Sequence, residues 1–481
     1  MKKTRVKGKT IMNIVKTVLF FTLLLFVLSR VYRVLSWKDT AGNYLSTMEN
    51  FYNLEDDVVD VLFVGSSHCY CSVNNSKLWK DKGIAAYSLA ISGQDLASSY
   101  YCINEALKTQ KPKVVFVEMY GATYHGYGVE GNLYRNVLPH KLSFDYYDVV
   151  NGVATEENKK DVMLKWPIIH TRYKELKKED FAEELPVYIG YQPEFTTKDI
   201  GWKDGGLNYY QGEKSLPLDE EEANWIEKII ELTKKNGVEV CFFLSPYAAS
   251  EEEQMKYKTV EDMAKKANVP FINFIALADK INLEANGDFI DWGHTNFSGA
   301  TKITNYLETY ILEHYAVTNH TDQEKYETWD FDLKIRNHEQ QNYKMSQRAD
   351  VFYFLNALSD FEDYTIFLTT NGDYYCESAG IEDWLEELGI LEDFFEGEGV
   401  WIFENGEISW AFDRTAQKSY IDKNGLDILV SNNDGKTQLR INKFDFMKAC
   451  DGLNIVVYDN LKGAIVDAIG FPTEQEYAGV R

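Results

Sequence analysis

Residues 58–64 (Val-Val-Asp-Val-Leu-Phe-Val) form an apolar run broken only at Asp60. Successive residues of a strand face opposite sides, so a run apolar at both alternations is buried on both faces. An inner strand of a parallel sheet has this pattern, and parallel strands need helical crossovers between them. The chain supplies the alternation. Ile84–Leu89 reads as a second short strand. Leu96, Tyr100, Ile103 and Leu107 then share one helical face, Pro112 ends that helix, and Val114–Glu118 reads as a third strand. Residues 120–215 interrupt the pattern. They are rich in Tyr, His and Lys, show no long period, and read as an irregular cap or insertion.

The alternation resumes with a helix that buries Ile226, Ile229, Ile230 and Thr233. Acids crowd its start, and Lys234-Lys235-Asn236-Gly237 closes it. A buried strand is expected at 238–247, a polar helix at 251–267 and a short strand at Phe271–Phe274. The last helix carries the stripe Ile303, Leu307 and Ile311, with Asn296 or Ser298 as its cap. Residues 56–316 are therefore expected to form an α/β domain, a parallel sheet with helices on both faces and the 120–215 insertion. Residues 317–348 are polar with little period and read as a linker. Residues 349–481 read as a separate α+β domain. It has strand runs, hairpin signals at Asn405-Gly406 and Asp434-Gly435, and an acidic helix at 381–395.

A chain of 481 residues is too long for one ordinary core, which agrees with two domains. Its formal net charge of −25 repels phosphate backbones and excludes nucleic acid as a partner. The first ten residues are the exception, with five Lys/Arg and no acid. The apolar stretch Ile11–Ser29 follows, about long enough to span a bilayer, and Lys16 lies near enough to the basic end to snorkel. No small-x-small cleavage site follows it. Residues 11–35 are thus read as an uncleaved transmembrane signal anchor, with 1–10 a cytoplasmic tail and the bulk of the chain extracellular. The six cysteines have the spacing of neither a disulfide framework nor a zinc site, and Cys102 and Cys241 read as buried thiols.

The first strand runs straight into Gly65-Ser66-Ser67-His68. Small polar residues can simply end a strand. Ligands of parallel α/β sheets, however, bind at the C-terminal ends of the strands. A hydroxyl there becomes a nucleophile when a base stands beside it and a third group orients the base. Asp291-Trp292-Gly293-His294 offers both, because on a tight loop the carboxylate can turn back to the imidazole Nδ1–H and leave Nε2 free. Ser66 is an alternative nucleophile, and His68 is either a pocket wall or a structural histidine. His125, His140 and His170 in the insertion lack ligand spacing, so neither metal nor other cofactor is expected. The aromatics Tyr120, Tyr124, Tyr127, Tyr134 and Trp166 suit either a sugar-stacking platform or a core.

This constellation resembles the SGNH/GDSL hydrolases. Gly65-Ser66-Ser67 stands where the family has Gly-Asp-Ser, Asp291-x-x-His294 matches its closing Asp-x-x-His, and Gly93 stands where a family glycine donates an N–H to the oxyanion. The resemblance implies a flavodoxin-like sheet, Ser67 as nucleophile, His294 as base and Asp291 as orienter, with the amides of Ser67 and Gly93 as oxyanion hole. The family's third block, Gly-x-Asn-Asp, is missing. In its place stands Val-Val-Phe-Val-Glu-Met-Tyr-Gly, and Glu118, Tyr120 or an amide near Gly121 are the available substitutes. This variation is similar to a branch of membrane-anchored surface-polymer proteins, among them D-alanyl transfer proteins of teichoic acid assembly and alginate-type O-acetylation proteins. It implies an extracytoplasmic serine esterase or acyltransferase acting on small acyl groups, chiefly acetyl, of a cell-surface polysaccharide or an acylated small molecule. The alternatives are a D-alanyl or O-acetyl transferase fed by a membrane acyl donor, with a membrane-bound O-acyltransferase as partner, and a degenerate glycan-binding scaffold. Residues 452–471 and Tyr-Thr-Ile-Phe-Leu-Thr-Thr-Asn-Gly-Asp at 364–373 resemble interleukin-like EMT-inducer domains, which implies a binding accessory module. The orientation is open to a direct test: alkaline phosphatase fused after residue 40 should be active, and an inactive fusion would put the candidate site in the cytoplasm.

Overall fold

The computed structural model describes residues 2–36, 44–124, 130–176, 178–181, 188–198, 208–360, 362–371, 386, 399–405, 407–411, 418–423, 426–433, 436–449, 451–472 and 479–481. The chain divides into two compact units, Met1–Lys334 and Ile335–Arg481. Helix α1 (Lys2–Leu35) opens the first. Its segment Thr10–Leu35 is long and apolar enough to cross a membrane, and its large side chains from Ile11 to Val31 stand exposed.

Five strands follow: β1 (Val61–Gly65), β2 (Ala86–Ala90), β3 (Val114–Glu118), β4 (Glu239–Leu244) and β5 (Phe271–Asn273). They pair in parallel in the order β2-β1-β3-β4-β5. The helices of this unit after α1 are α2 (Tyr44–Asn53), α3 (Ser67–Ser72), α4 (Asn75–Lys82), α5 (Leu96–Ala106), α6 (Glu130–Val137), α7 (Phe144–Val153), α8 (Lys159–Val162), α9 (Trp166–Ile169), α10 (Glu220–Asn236), α11 (Glu251–Ala267) and α12 (Phe297–His314). The two faces of β1 lie in different cores. Leu62 and Val64 pack with residues of α5, α10 and α11, while Val61 and Phe63 pack with residues of α4 and α12. On the second face the Phe63 ring stacks on Phe116 at 5.0 Å and meets Phe243 edge-on at 6.2 Å.

Two segments differ from the sequence expectation. The 120–215 insertion contains the short helices α6 to α9 instead of irregular chain. Its return crosses the open edge of β2, where Ser88 N donates to Ile189 O at 2.9 Å and Asn75 Nδ2 donates to the same carbonyl at 2.7 Å. An edge covered in this way is closed to further pairing. The 317–348 segment, expected to be a linker, contains the 20-residue helix α13 (Glu327–Ser346). Its buried positions include Trp329, whose Nε1 donates to Ala86 O at 2.8 Å, but also Asp332, whose carboxylate accepts from Ser76 Oγ and from Ile189 N. A buried acid on the inner face blurs the apolar period that marks a helix.

The second unit adds α14 (Val351–Asp360) and antiparallel strands: β6 (Tyr364–Asn371), β7 (Gly399–Glu404), β8 (Glu407–Ala411), β9 (Lys418–Lys423), β10 (Leu426–Asn433), β11 (Lys436–Ile441), β12 (Phe444–Asp445), β13 (Gly452–Asp459) and β14 (Ala464–Pro472). They form a five-stranded sheet, β14-β13-β6-β7-β8, and a four-stranded one, β12-β11-β10-β9. Glu404 pairs with Glu407 and Asn433 with Lys436, so two-residue connections stand at both expected hairpins. The acidic helix expected at 381–395 lies outside the described residues except for Glu386, as do Cys376 and Cys450.

Phe63 is fully buried in the sheet core of the first unit. Phe63→Ala should cost about 3–5 kcal/mol, the usual penalty for emptying a buried aromatic site. Thermal unfolding of the full chain in detergent should show a clearly lowered midpoint for this variant and none for the exposed control Leu312→Ala.

Candidate active site

The end of β1 is fixed from both sides. Gly65 pairs with Ala90, and its carbonyl accepts from Ile91 N at 3.0 Å. Ser66 is the N-cap of α3, with its Oγ accepting from His68 N at 3.2 Å and donating to Glu118 Oε2 at 3.1 Å. Both functions turn the Ser66 hydroxyl into the protein, where the residue is buried. Ser67 is the next residue and is partly exposed. Its Oγ lies 2.8 Å from His294 Nε2.

His294 comes from a loop whose shape the aspartate sets. Asp291 Oδ1 accepts from Gly293 N at 2.7 Å and from His294 N at 2.9 Å, an Asx turn that aims the histidine ring back at its own carboxylate. His294 Nδ1 is then 2.9 Å from both Asp291 oxygens. The loop is closed by the Phe289–Thr295 bridge and by Ile290 N donating to His294 O at 3.0 Å. Asn296, not Ser298, caps α12 behind it. Burial works against ionisation of Asp291, but the Gly293 N–H and the His294 ring outweigh it, so the carboxyl is held below its ordinary value. An anion facing Nδ1–H favours the tautomer with Nε2 as acceptor, and it stabilises the imidazolium formed when that nitrogen takes a proton.

The other sequence candidates surround this relay. His68 is buried with its Nδ1 unpartnered. Its ring stacks on Tyr120 at 3.9 Å and lies 5.0 Å from the His294 ring. Burial first, then the neighbouring His294, pushes its pKa down to about 3. His68 is therefore neutral, and His294 can become cationic without a second cation beside it. Tyr120 continues the stack to Tyr124 at 5.1 Å. Glu118 lies beneath Ser66, with Oε1 accepting from Tyr120 N at 2.9 Å. Gly93 sits at φ +66° in the turn after β2, a conformation that suits glycine. Gly121 is in the short turn Tyr120–Ala122 after β3.

Three further residues line this region. Asn132 of α6 lies against Gly93, where a Cβ would stand 2.3 Å from Asn132 Nδ2. The side chain of Tyr70 reaches the hydroxyls of Ser92 and Ser67. Glu194 faces both His294 and Asp291. None carried a sequence signal, because each comes from an insertion or a mid-helix position without a motif. Of the insertion histidines, His140 is buried and His170 Nδ1 lies 3.1 Å from Trp166 O, while His125 and Tyr127 lie outside the described residues. Among the described residues, no group of three or more His, Cys, Asp or Glu is placed to hold a metal ion. Cys69, Cys71, Cys102 and Cys241 are free and buried.

No family model matches the chain. No curated protein matches it either. Among solved structures, the chain is similar to a "putative acylhydrolase" from Bacteroides fragilis NCTC 9343, at 11% identity and a TM-score of 0.29. That match covers 58% of this chain and 98% of the other.

Glu118 gives the site a pH signature. Burial raises its pKa from 4.5 to about 7, against the opposing bonds from Tyr120 N and Ser66. Between those values the folded chain binds a proton that the unfolded chain has lost, so stability falls as pH rises through the window, by at most about 3 kcal/mol. Asp95, raised to about 6, acts in the same direction. The fall in melting temperature from about pH 5 to about pH 8 should be smaller in Glu118→Gln than in wild type. Equal falls would remove Glu118 as the source.

Proposed function

We propose that the chain is an extracytoplasmic, membrane-anchored serine esterase or acyltransferase of SGNH type. It would act on small acyl groups, chiefly acetyl, of a cell-surface polysaccharide. The observation that carries this reading is the continuous relay from Ser67 Oγ to His294 Nε2, 2.8 Å, and from His294 Nδ1 to Asp291, 2.9 Å. The strand order β2-β1-β3-β4-β5, with the relay at the strands' C-terminal ends, also supports it, because a doubly wound sheet of this order places its ligands there.

In this mechanism His294 Nε2 takes the Ser67 proton as Oγ bonds to the acyl carbonyl carbon. The carbonyl π pair moves onto oxygen, and the amides of Ser67 and Gly93 are assigned to that oxyanion. The tetrahedral centre collapses by breaking its bond to the sugar oxygen, which takes the proton from the His294 imidazolium. An acyl-Ser67 remains. Water or a second hydroxyl, deprotonated by the same nitrogen, attacks it and restores free Ser67. Transfer from a membrane acyl donor is the second reading, favoured by the apolar exposed helix α1 at the start of the same unit.

The full chain in detergent, treated with a fluorophosphonate probe, should label on Ser67. Ser67→Ala should abolish the label and His294→Ala should slow it by orders of magnitude. A folded wild type that stays unlabelled would overturn the esterase reading and leave a glycan-binding scaffold.

A further inference from the structure

Among the described residues between 36 and 334, the exposed large hydrophobic side chains concentrate in the insertion. Phe144 is 92% exposed, Leu164 63%, Tyr173 62% and Phe181 62%, and Leu142 and Trp166 are also exposed. Outside residues 142–181, only Trp292, Leu312 and Phe331 of that range are comparable. Exposed apolar groups grouped in this way mark a surface that is covered in use.

The same segment holds the end of α1. Arg172 Nη1 donates to Leu35 O at 2.9 Å and also to Ser36 O, and its Nη2 pairs with Asp180 Oδ1 at 2.7 Å. Arg172 and Asp180 are both buried. The segment that carries these side chains is thus tied to the end of the candidate span. Within the segment the exposed Lys174 lies over the exposed Tyr173 ring, 5.6 Å from its centroid, and an aromatic ring with a basic neighbour suits the headgroup layer.

We propose that residues 142–181 form a lipid-contacting face, seated in the headgroup layer beside the exit of α1. The occupant is the bilayer itself. The consequence reaches the candidate site, because α6 of the same insertion packs on the turn that holds Gly93, with Asn136 Nδ2 donating to Ser92 O at 3.3 Å. One wall of the Ser67 site and the lipid face then belong to one segment, which presents the site to acyl carriers held at the membrane surface. The inference rests on α1 crossing the bilayer and not on the esterase chemistry.

The test uses the full chain, with Cys376→Ser and Cys450→Ser, in phosphatidylcholine–phosphatidylglycerol liposomes. Single cysteines replace Phe144, Phe181, Leu24 of α1 and Glu313 of α12, each labelled with bimane. Shallow spin-labelled lipids should quench most of the fluorescence at Phe144→Cys and Phe181→Cys, and deep ones should quench Leu24→Cys. Glu313→Cys should stay bright. If Leu24→Cys is quenched while Phe144→Cys and Phe181→Cys match Glu313→Cys, the lipid face is overturned and the anchor stands, whether those labels are wet or covered by a second copy. If Leu24→Cys is also unquenched, the anchor falls with it.

Discussion

The close approach of β1 to β3 at Gly65 is the constraint on which the site depends. A Cβ there would stand 2.4 Å from Glu118 Cβ and 3.1 Å from Cys69 Cβ. Only hydrogen fits in that gap. The missing side chain lets Glu118 rise beneath the turn and capture the Ser66 hydroxyl, which fixes Ser66 as the cap of α3. Ser67 is then the first helical residue, and its Oγ is directed at His294. The two serines are chemically equal, and their division of labour follows from the buried carboxyl under one of them. The Asx turn at Asp291 does the corresponding work on the other side. It sets the histidine ring with backbone bonds before any substrate arrives.

The electrostatics around the relay are arranged by burial. His68 and Glu118, both packed against the serine turn, are displaced towards their neutral forms. Asp291 alone is displaced towards its charged form. Burial thus works against charge on His68 and Glu118, while hydrogen bonds hold the charge on Asp291.

The sequence carried much of this. The apolar runs at 58–64, 114–118 and 238–247 and the cap at Asn296 sit close to the observed elements, because strands buried on both faces and side-chain caps are local signals. The spacing Asp291-x-x-His294 was readable because one short loop holds the whole interaction. What the sequence hid is non-local. Asn132 meets Gly93 from a helix nearly forty positions away, and Glu118 reaches Ser66 from the neighbouring strand, 52 positions on. The helix α13 was invisible because its inner face carries Asp332, a residue whose partners Ser76 and Ile189 come from distant parts of the chain. A pattern rule counts such an acid as solvated, and only the fold shows that it is satisfied.

The fate of an acyl group on Ser67 follows from access. The His294 and Asp291 side chains are 27% and 44% exposed, and Ser67 is partly exposed itself. Water can therefore approach these side chains in the free protein, and on the proposed reading hydrolysis would be the default outcome for an acyl group on Ser67. Transfer to a sugar needs the acceptor to displace that water, and an alcohol competes only when it is held in place at high effective concentration. The stack of His68, Tyr120 and Tyr124 offers aromatic edges next to the serine, and α6 walls the Gly93 turn, but neither covers the open side occupied by Trp292, itself exposed. A transferase built on this relay therefore draws its exclusion of water from what binds there, a long glycan or a membrane partner lying across the open side. On the proposed reading the chain's own residues would supply the acyl-enzyme, and the bound acceptor would supply the choice between hydrolysis and transfer.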